Sequence, residues 1–339
     1  MFASNDFRES RREPRPEGSG AAPAPRLPQS IYRYVLDVSG PHQILLLLLT
    51  VGVFLLEVVP LELQRRAVND LTKHREFGAI LLLCGAYLGV ALLQGGIKLV
   101  LNIYRNWVGE RVSRDLRHRV RRLVSSPAPA ASGSTAQGIQ ASMIVSEVDP
   151  VGGFIGSSIS EPLLQGGVLL TVLAYMVHVD TIMAGLVFAL FLPQFVFVPL
   201  MQGAINRRAA ARVQLLRHLS VSVVESGSGE DRAAATDAQR VDQVFQLNMG
   251  IFKLKFSMNF LMNLSTQLQI VAALLAGGWA VYMERLEVGG VVAFISGIGR
   301  LTDPWGDLVT YFRDVNVTQV KFHLLRDAVT EQERGSAPR

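Results

Sequence analysis

The sequence predicts an all-α polytopic membrane protein: six transmembrane helices with long cytoplasmic helical extensions. Three observations predict it. Of the 339 residues, 49% are apolar and only 18% are charged, a balance that suits a chain embedded in lipid better than a soluble globule. The apolar residues gather into six runs, near 43–62, 78–101, 155–178, 182–202, 258–283 and 288–312, each close to or above the ~20 residues a bilayer helix needs. The connections alternate in length. Gaps 63–77, 179–181 and 284–287 are short, whereas 102–154 and 203–257 are long. Three hairpins joined by two long excursions result.

Charge orients the hairpins. The long gaps carry seven and eight Lys/Arg, and the segments before the first and after the last run carry six and five. The short gaps hold four (Arg65, Arg66, Lys73, Arg75), none, and one (Arg285). Cytoplasmic loops of membrane proteins carry the excess of Lys and Arg, so both termini and both excursions are expected in the cytoplasm, with the chain integral to the plasma (inner) membrane. The net charge of +5 follows from this topology and gives no reason to expect nucleic acid as a partner.

Residues 1–29, rich in Arg, Glu, Pro, Gly and Ser, read as a disordered cytoplasmic tail and lack the apolar core of a signal peptide. The membrane domain is expected over 30–328, and 329–339 as a flexible tail. From Ser30, a helix N-cap residue, Ile31, Tyr34, Val35 and Val38 recur at helical spacing and predict a short interfacial helix ending at Gly40-Pro41.

The excursions read as helical rods. Phe77 to Ser126 holds no proline, and Val108, Val112, Leu116, Val120 and Leu123 keep one apolar stripe among arginines. Such a run extends ~70 Å and ends where Pro127, Pro129 and Gly133 break it. In the second excursion one stripe descends through Ile205, Ala209, Val213 and Leu216 to a turn at 225–231. A second returns through Val241, Val244, Phe245 and Phe252. Rods of this kind suit the passing of motion between a cytoplasmic partner and the bilayer; a passive stalk is the plainer reading.

The sixth run carries the main functional candidates. Val291, Ile295, Ile298, Leu301, Trp305, Leu308 and Phe312 form one face, and Ser296, Arg300, Asp303, Asp307, Thr310 and Asp314 form a second stripe at steps of four and three. Polar groups inside lipid must face protein or water, so the stripe is read as lining a polar interior or substrate pathway. An Arg300–Asp303 pair that only fastens helices is the alternative. Pro304 cannot donate to the carbonyl of Arg300, which makes it a hinge candidate.

Lys98, Glu57 and Glu161 also lie within apolar runs. Lys98 joins the pathway candidates but can also snorkel towards the inner interface, and Glu57 is placed near the outer one. Asn259, Asn263 and Gln267 form another polar line, read first as inter-helix hydrogen bonding, and Gly85-Ala-Tyr-Leu-Gly89 as a close-packing motif. Pro193 and Pro199 are expected to kink the fourth run. Cys84 stands alone, and the six histidines lack ligand spacing, so neither a disulfide nor a metal site is expected.

In this order and spacing the chain resembles the transmembrane domain of type I ABC exporters over roughly residues 31–328. Three local patterns add to the likeness. Gly138 to Asp149 (GIQASMIVSEVD) is similar to the family's segment after its first coupling helix. Glu225-x-x-x-Gly229 is similar to the Glu-x-x-x-Gly at its second coupling helix. Leu286 to Trp305 is similar to its sixth span. The departures are Ile139 and Met143 where the family has Glu and Arg, and an acidic second tip, Glu230-Asp231, followed by Arg232-Ala-Ala-Ala.

The resemblance implies a substrate-translocating subunit that works as a homodimer or with a paralogous half-transporter among membrane lipids. It also implies coupling to an ATPase through Pro127, Gly138, Glu225, Gly229 and Glu230. No GxxxxGK[ST] occurs, and Gly133-x-x-x-x-Gly138 continues as Ile139-Gln140 without the phosphate-binding lysine. The chain is therefore expected to be no enzyme and to hold no cofactor, with ATP bound on a partner nucleotide-binding subunit. A non-transporting scaffold, regulator or decayed half-transporter is the rival reading. An ion-driven secondary transporter is a third, but it lacks internal repeats and would not need such stalks.

Overall fold

A computed structural model describes residues 28, 30–124, 148–225 and 231–335. Among these the regular structure is entirely helical. Helices α1 (Ile31–Leu56), α2 (Val58–Thr72) and α3 (Phe77–Val124) are followed by α4, seen over 148–157, and α5 (Ser160–Val179). Helices α6 (Thr181–Glu225), α7 (Asp231–Tyr282) and α8 (Val288–Gly335) complete the chain.

Five helical segments are long and apolar enough to cross a membrane: α1 with α2, α3, α5, α6 and α7. This fits a membrane protein. Helix α8 is not among them, because its apolar run is interrupted by Arg300, Asp303 and Asp307. No residue in the most apolar stretch of α3 is buried, and Leu82 (75% exposed) and Leu275 (72%) stand fully outward. Apolar surface on this scale has to be covered by lipid or by another chain.

The helices pack around two cores. In the first, Leu46, Val53 and Leu61 from α1 and α2 meet Val168, Val172 and Met176 of α5 and Phe294, Ile298 and Leu301 of α8. In the second, the first turn of α1 (Ile31, Tyr34, Val35) packs on Val112 and Leu116 of α3, Val151 and Ile155 of α4, and Phe322 of α8. The apolar stripe read on α3 is thus buried at Val108, Val112 and Leu116.

Helices α6 and α7 pack against each other, α6 ending at Glu225 and α7 starting at Asp231, and residues 226–230 of the expected turn lie outside the described residues. Arg208 donates to the main-chain oxygen of Gly250 at 3.1 Å, and Arg212 to Asn248 Oδ1 at 3.1 Å, tying the two rods together. Helix α6 runs unbroken through Pro193 and Pro199.

Several expectations need correction. No separate interfacial helix ends at Gly40-Pro41; α1 continues through Pro41. The exposed ring of Pro41 gives up one backbone hydrogen bond. Packing compensates, because the buried face Ile31–Val35 runs on in phase to Gln43, Leu46, Thr50 and Val53. Gln43 braces this bend, donating to Ser39 Oγ at 3.0 Å and to the main-chain oxygen of Ile155 at 3.1 Å.

The first hairpin differs too. Helix α2 extends to Thr72, so 63–77 is mostly helix and its four basic residues are all ion-paired. Arg65 and Arg66 hold Glu62 at 2.7 and 2.6 Å, Arg75 holds Asp70 at 3.4 Å, and Lys73 holds Glu287. Three carboxylates, Glu62, Asp70 and Glu287, thus offset most of the charge of the four basic residues. Helix α8 itself continues to Gly335, past the boundary drawn at 329.

The Gly85–Gly89 motif packs against nothing among the described residues, since a Cβ at either position would meet no neighbour within 4 Å. The close helix crossing lies elsewhere, where Gly109 of α3 meets Gly152 and Gly156 of α4. A Cβ at Gly156 would overlap the main-chain oxygen of Arg105. Gly156→Ala should therefore lower stability by about 1–3 kcal/mol, whereas Gly85→Ala should change it by less than about 0.5 kcal/mol. Thermal unfolding of the detergent-solubilised variants measures both.

Candidate functional site

Helices α7 and α8 diverge around an open cleft of about 540 Å³. Asn259, Met262 and Asn263 line it from α7, and Thr302, Asp303, Gly306 and Asp307 from α8. The cleft exists because small polar side chains pin the helices beside it. Thr266 Oγ1 and Thr302 Oγ1 share a hydrogen bond at 3.1 Å. Behind them, Ser265 donates to the main-chain oxygen of Leu190 at 3.0 Å and accepts from Gln194 at 3.0 Å and Gln269 at 3.2 Å, fixing α7 on α6.

A second cleft of about 360 Å³ lies further along α8, lined by Arg105, Glu161, Asp307, Thr310, Tyr311 and Asp314 among others. Asp307 borders both clefts. Gln165 Nε2 joins it to Glu161, donating to Asp307 Oδ2 at 3.1 Å and to Glu161 Oε1 at 2.9 Å. Glu161 is in turn ion-paired with Arg105, and both side chains are about four-fifths buried.

Arg300 does not pair with Asp303. Its Nη1 donates to the main-chain oxygen of Glu57 at 3.0 Å and forms an ion pair with the Glu57 carboxylate. The other carboxylate oxygen of Glu57 accepts from Gln94 of α3. Helix α2 carries on for 15 residues beyond Glu57. Helices α2 and α8 run antiparallel, and the Gly289 N–H donates to Asn69 Oδ1 at 2.7 Å near their shared end. From that contact to the Glu57–Arg300 pair is about 17 Å along both helices, roughly half a bilayer.

The sequence candidates therefore separate. Asp303 and Asp307 share a cleft and are exposed, Arg300 and Ser296 are half-buried one and two turns away, and Pro304 is buried inside an unbroken α8. Lys98, exposed on α3, lies close enough to Asp307 to act on its charge. Glu225 ends α6, whereas Pro127, Gly138, Gly229 and Glu230 lie outside the described residues. Asn259 and Asn263 face the cleft rather than a neighbouring helix, and Gln267 is exposed.

Gln94, Gln165, Thr302 and Arg105 were not singled out by the sequence reading. The two glutamines carried a usable signal, since each is an amide inside an apolar run. With Arg300 and Arg105 engaged by glutamates, the side chains left facing the first cleft are two carboxylates, two amides, a hydroxyl and a thioether. Such a set can bind and orient a ligand by charge and hydrogen bonds.

No protein-family model matches this chain, and no curated protein is significantly similar to it.

Cysteines placed singly in a Cys84→Ala background should be labelled fastest by a hydrophilic maleimide at 303 and 307, slowly at 296, and least at the buried positions 298 and 301. Equal rates at 298, 301, 303 and 307 would remove the cleft from the account. The removal of Cys84 is required because that thiol is itself exposed.

Proposed function

We propose that the chain is the membrane-spanning, substrate-translocating subunit of an ABC-type exporter, driven by a separately encoded ATPase. The observation that carries the reading is the pairing of very long helices with a polar cleft. Helices α3, α6, α7 and α8 each hold 45 to 52 residues, about 70 Å or more, over twice the hydrocarbon thickness of a bilayer. Three of these four flank the polar clefts described above.

In this reading α8 supplies a sixth span, its acidic stripe shielded by α5 and α7 rather than by lipid. The rods of α3, α6 and α7 project into the cytoplasm with both termini, and the plasma (inner) membrane holds the chain. Force enters at the turns around 127–137 and 225–233, where Pro127, Gly138, Glu225, Gly229 and Glu230 would meet the nucleotide-binding subunit and its ATP. Two copies, or one copy and a paralogous half, enclose the pathway, and surrounding lipid covers the apolar faces of α3 and α7.

The substrate groups would be Asp303, Asp307 and Ser296 with Lys98, and Arg300 serves the helix framework. Pro304 would permit α8 to bend next to them. A second reading, a non-transporting scaffold or decayed half-transporter that keeps the fold, is favoured by one feature: the acidic tip at Glu230-Asp231. An ATPase surface would have to match that charge.

The test is purification of the full chain from detergent, with and without a non-hydrolysable ATP analogue, and identification of what accompanies it. The proposal expects an ATPase subunit whose hydrolysis rises several-fold in the complex, and a Glu230→Lys variant that loses the stimulation. Recovery of the chain with no ATPase, unaffected by nucleotide, favours the scaffold.

A further inference from the structure

The segment from α1 to α2 is interrupted at one residue, Glu57. Its N–H reaches back only to the main-chain oxygen of Phe54, at 3.3 Å, a tighter turn than the α-helix on either side. Pro60, in the first turn of α2, has no N–H to return to the carbonyl of Leu56. The backbone is therefore weakest here. Across from this break stands Arg300 of α8, and the backbone of α8 is weakened at the same level because Pro304 cannot donate to the carbonyl of Arg300.

One helical segment is thus interrupted opposite a helix that lacks a backbone hydrogen bond, and a single guanidinium joins them. Arg300 holds both the main-chain oxygen and the carboxylate of Glu57, and Gln94 brings α3 to the same carboxylate. Helix α5 closes the fourth side: Thr171 Oγ1 donates to the main-chain oxygen of Phe54 at 3.3 Å, and Gly167 leaves just the room that the Phe54 ring fills. The two charged side chains are 26% and 19% exposed.

We infer that the Glu57–Arg300 pair is a charge lock. Closed, it holds α8 against the break in α1–α2; open, it lets both helices bend where their backbone hydrogen bonding is already incomplete. Two features make the states discrete. A charge enclosed among apolar helices is stable only when partnered or hydrated, so an open state needs water at both groups and partial separation gains nothing. The pair also sits at the only level where α2 and α8 both lack a backbone donor, so bending elsewhere would break intact helix. The lock does not rest on the export reading, because it is a property of contacts within this chain.

Hydrogen–deuterium exchange of the full chain in lipid nanodiscs tests it. Glu57→Gln should raise exchange by about tenfold in peptides covering 54–62 and 298–306, an amount set by the loss of a partly exposed pair. Peptides covering 164–176 in the shared core should stay unchanged. The charge-swapped double variant Glu57→Arg/Arg300→Glu should bring 298–306 most of the way back. A rise spread evenly over all peptides would make the pair ordinary packing, and no rise at all would mean that it holds nothing; either result overturns the lock. Because Glu57→Gln keeps side-chain size and the amide can still accept from Arg300, the variant is expected to fold, and Arg300→Gln provides a second approach to the same two peptides.

Discussion

The structure depends on one constraint: a charged group inside a helix bundle made of apolar runs must find a partner there. Glu57 and Arg300 satisfy it for each other, and Arg105 and Glu161 do the same one level further along. Each pair joins elements far apart in sequence, so each also fixes how helices stack. Glu57–Arg300 sets α8 against α1–α2 and, through Gln94, α3. Arg105–Glu161 sets α3 against α5, and Gln165 extends it to α8. Burying such pairs seldom adds net stability compared with apolar side chains, but removing one partner is costly. Their value is in specifying one arrangement among the many that interchangeable Leu, Val and Ala faces would allow.

The same pairing decides the character of the clefts. Once both arginines are engaged by glutamates, Asp303 and Asp307 are left facing an open space with Asn259 and Asn263 opposite, and only Lys98 nearby carries positive charge. A framework role for Arg300 thus follows from the geometry, while the carboxylates of Asp303 and Asp307, one to two helical turns further on, face the cleft.

Much of the fold was legible in the sequence, because helix formation and apolar runs are local. The apolar stripe of α3 and the two-faced sixth run both follow from residue spacing alone. The partner of Glu57 was not legible, because Arg300 is 243 positions away. The passage of α1 through Pro41 was missed for a related reason: local chemistry favours a stop there, and the distant residues Ile155 and Phe322 pack against the helix and outweigh it. The ion pairs of the basic residues of 63–77 escaped because counting charges ignores their partners. The crossing with Gly109 did carry a local signal, because Gly152 and Gly156 share the Gly-x-x-x-Gly spacing of Gly85 and Gly89, whose own faces prove open.

The central claim is that Glu57 and Arg300 act as one unit in the helix framework. A double-mutant cycle measures it most directly, using thermal unfolding of the wild type, Glu57→Gln, Arg300→Gln and the double variant in the same detergent. The account predicts a coupling energy of about 1–3 kcal/mol, with the double variant scarcely less stable than the worse single one. Additive losses, with a coupling near zero, would contradict it and leave α8 held by apolar packing alone.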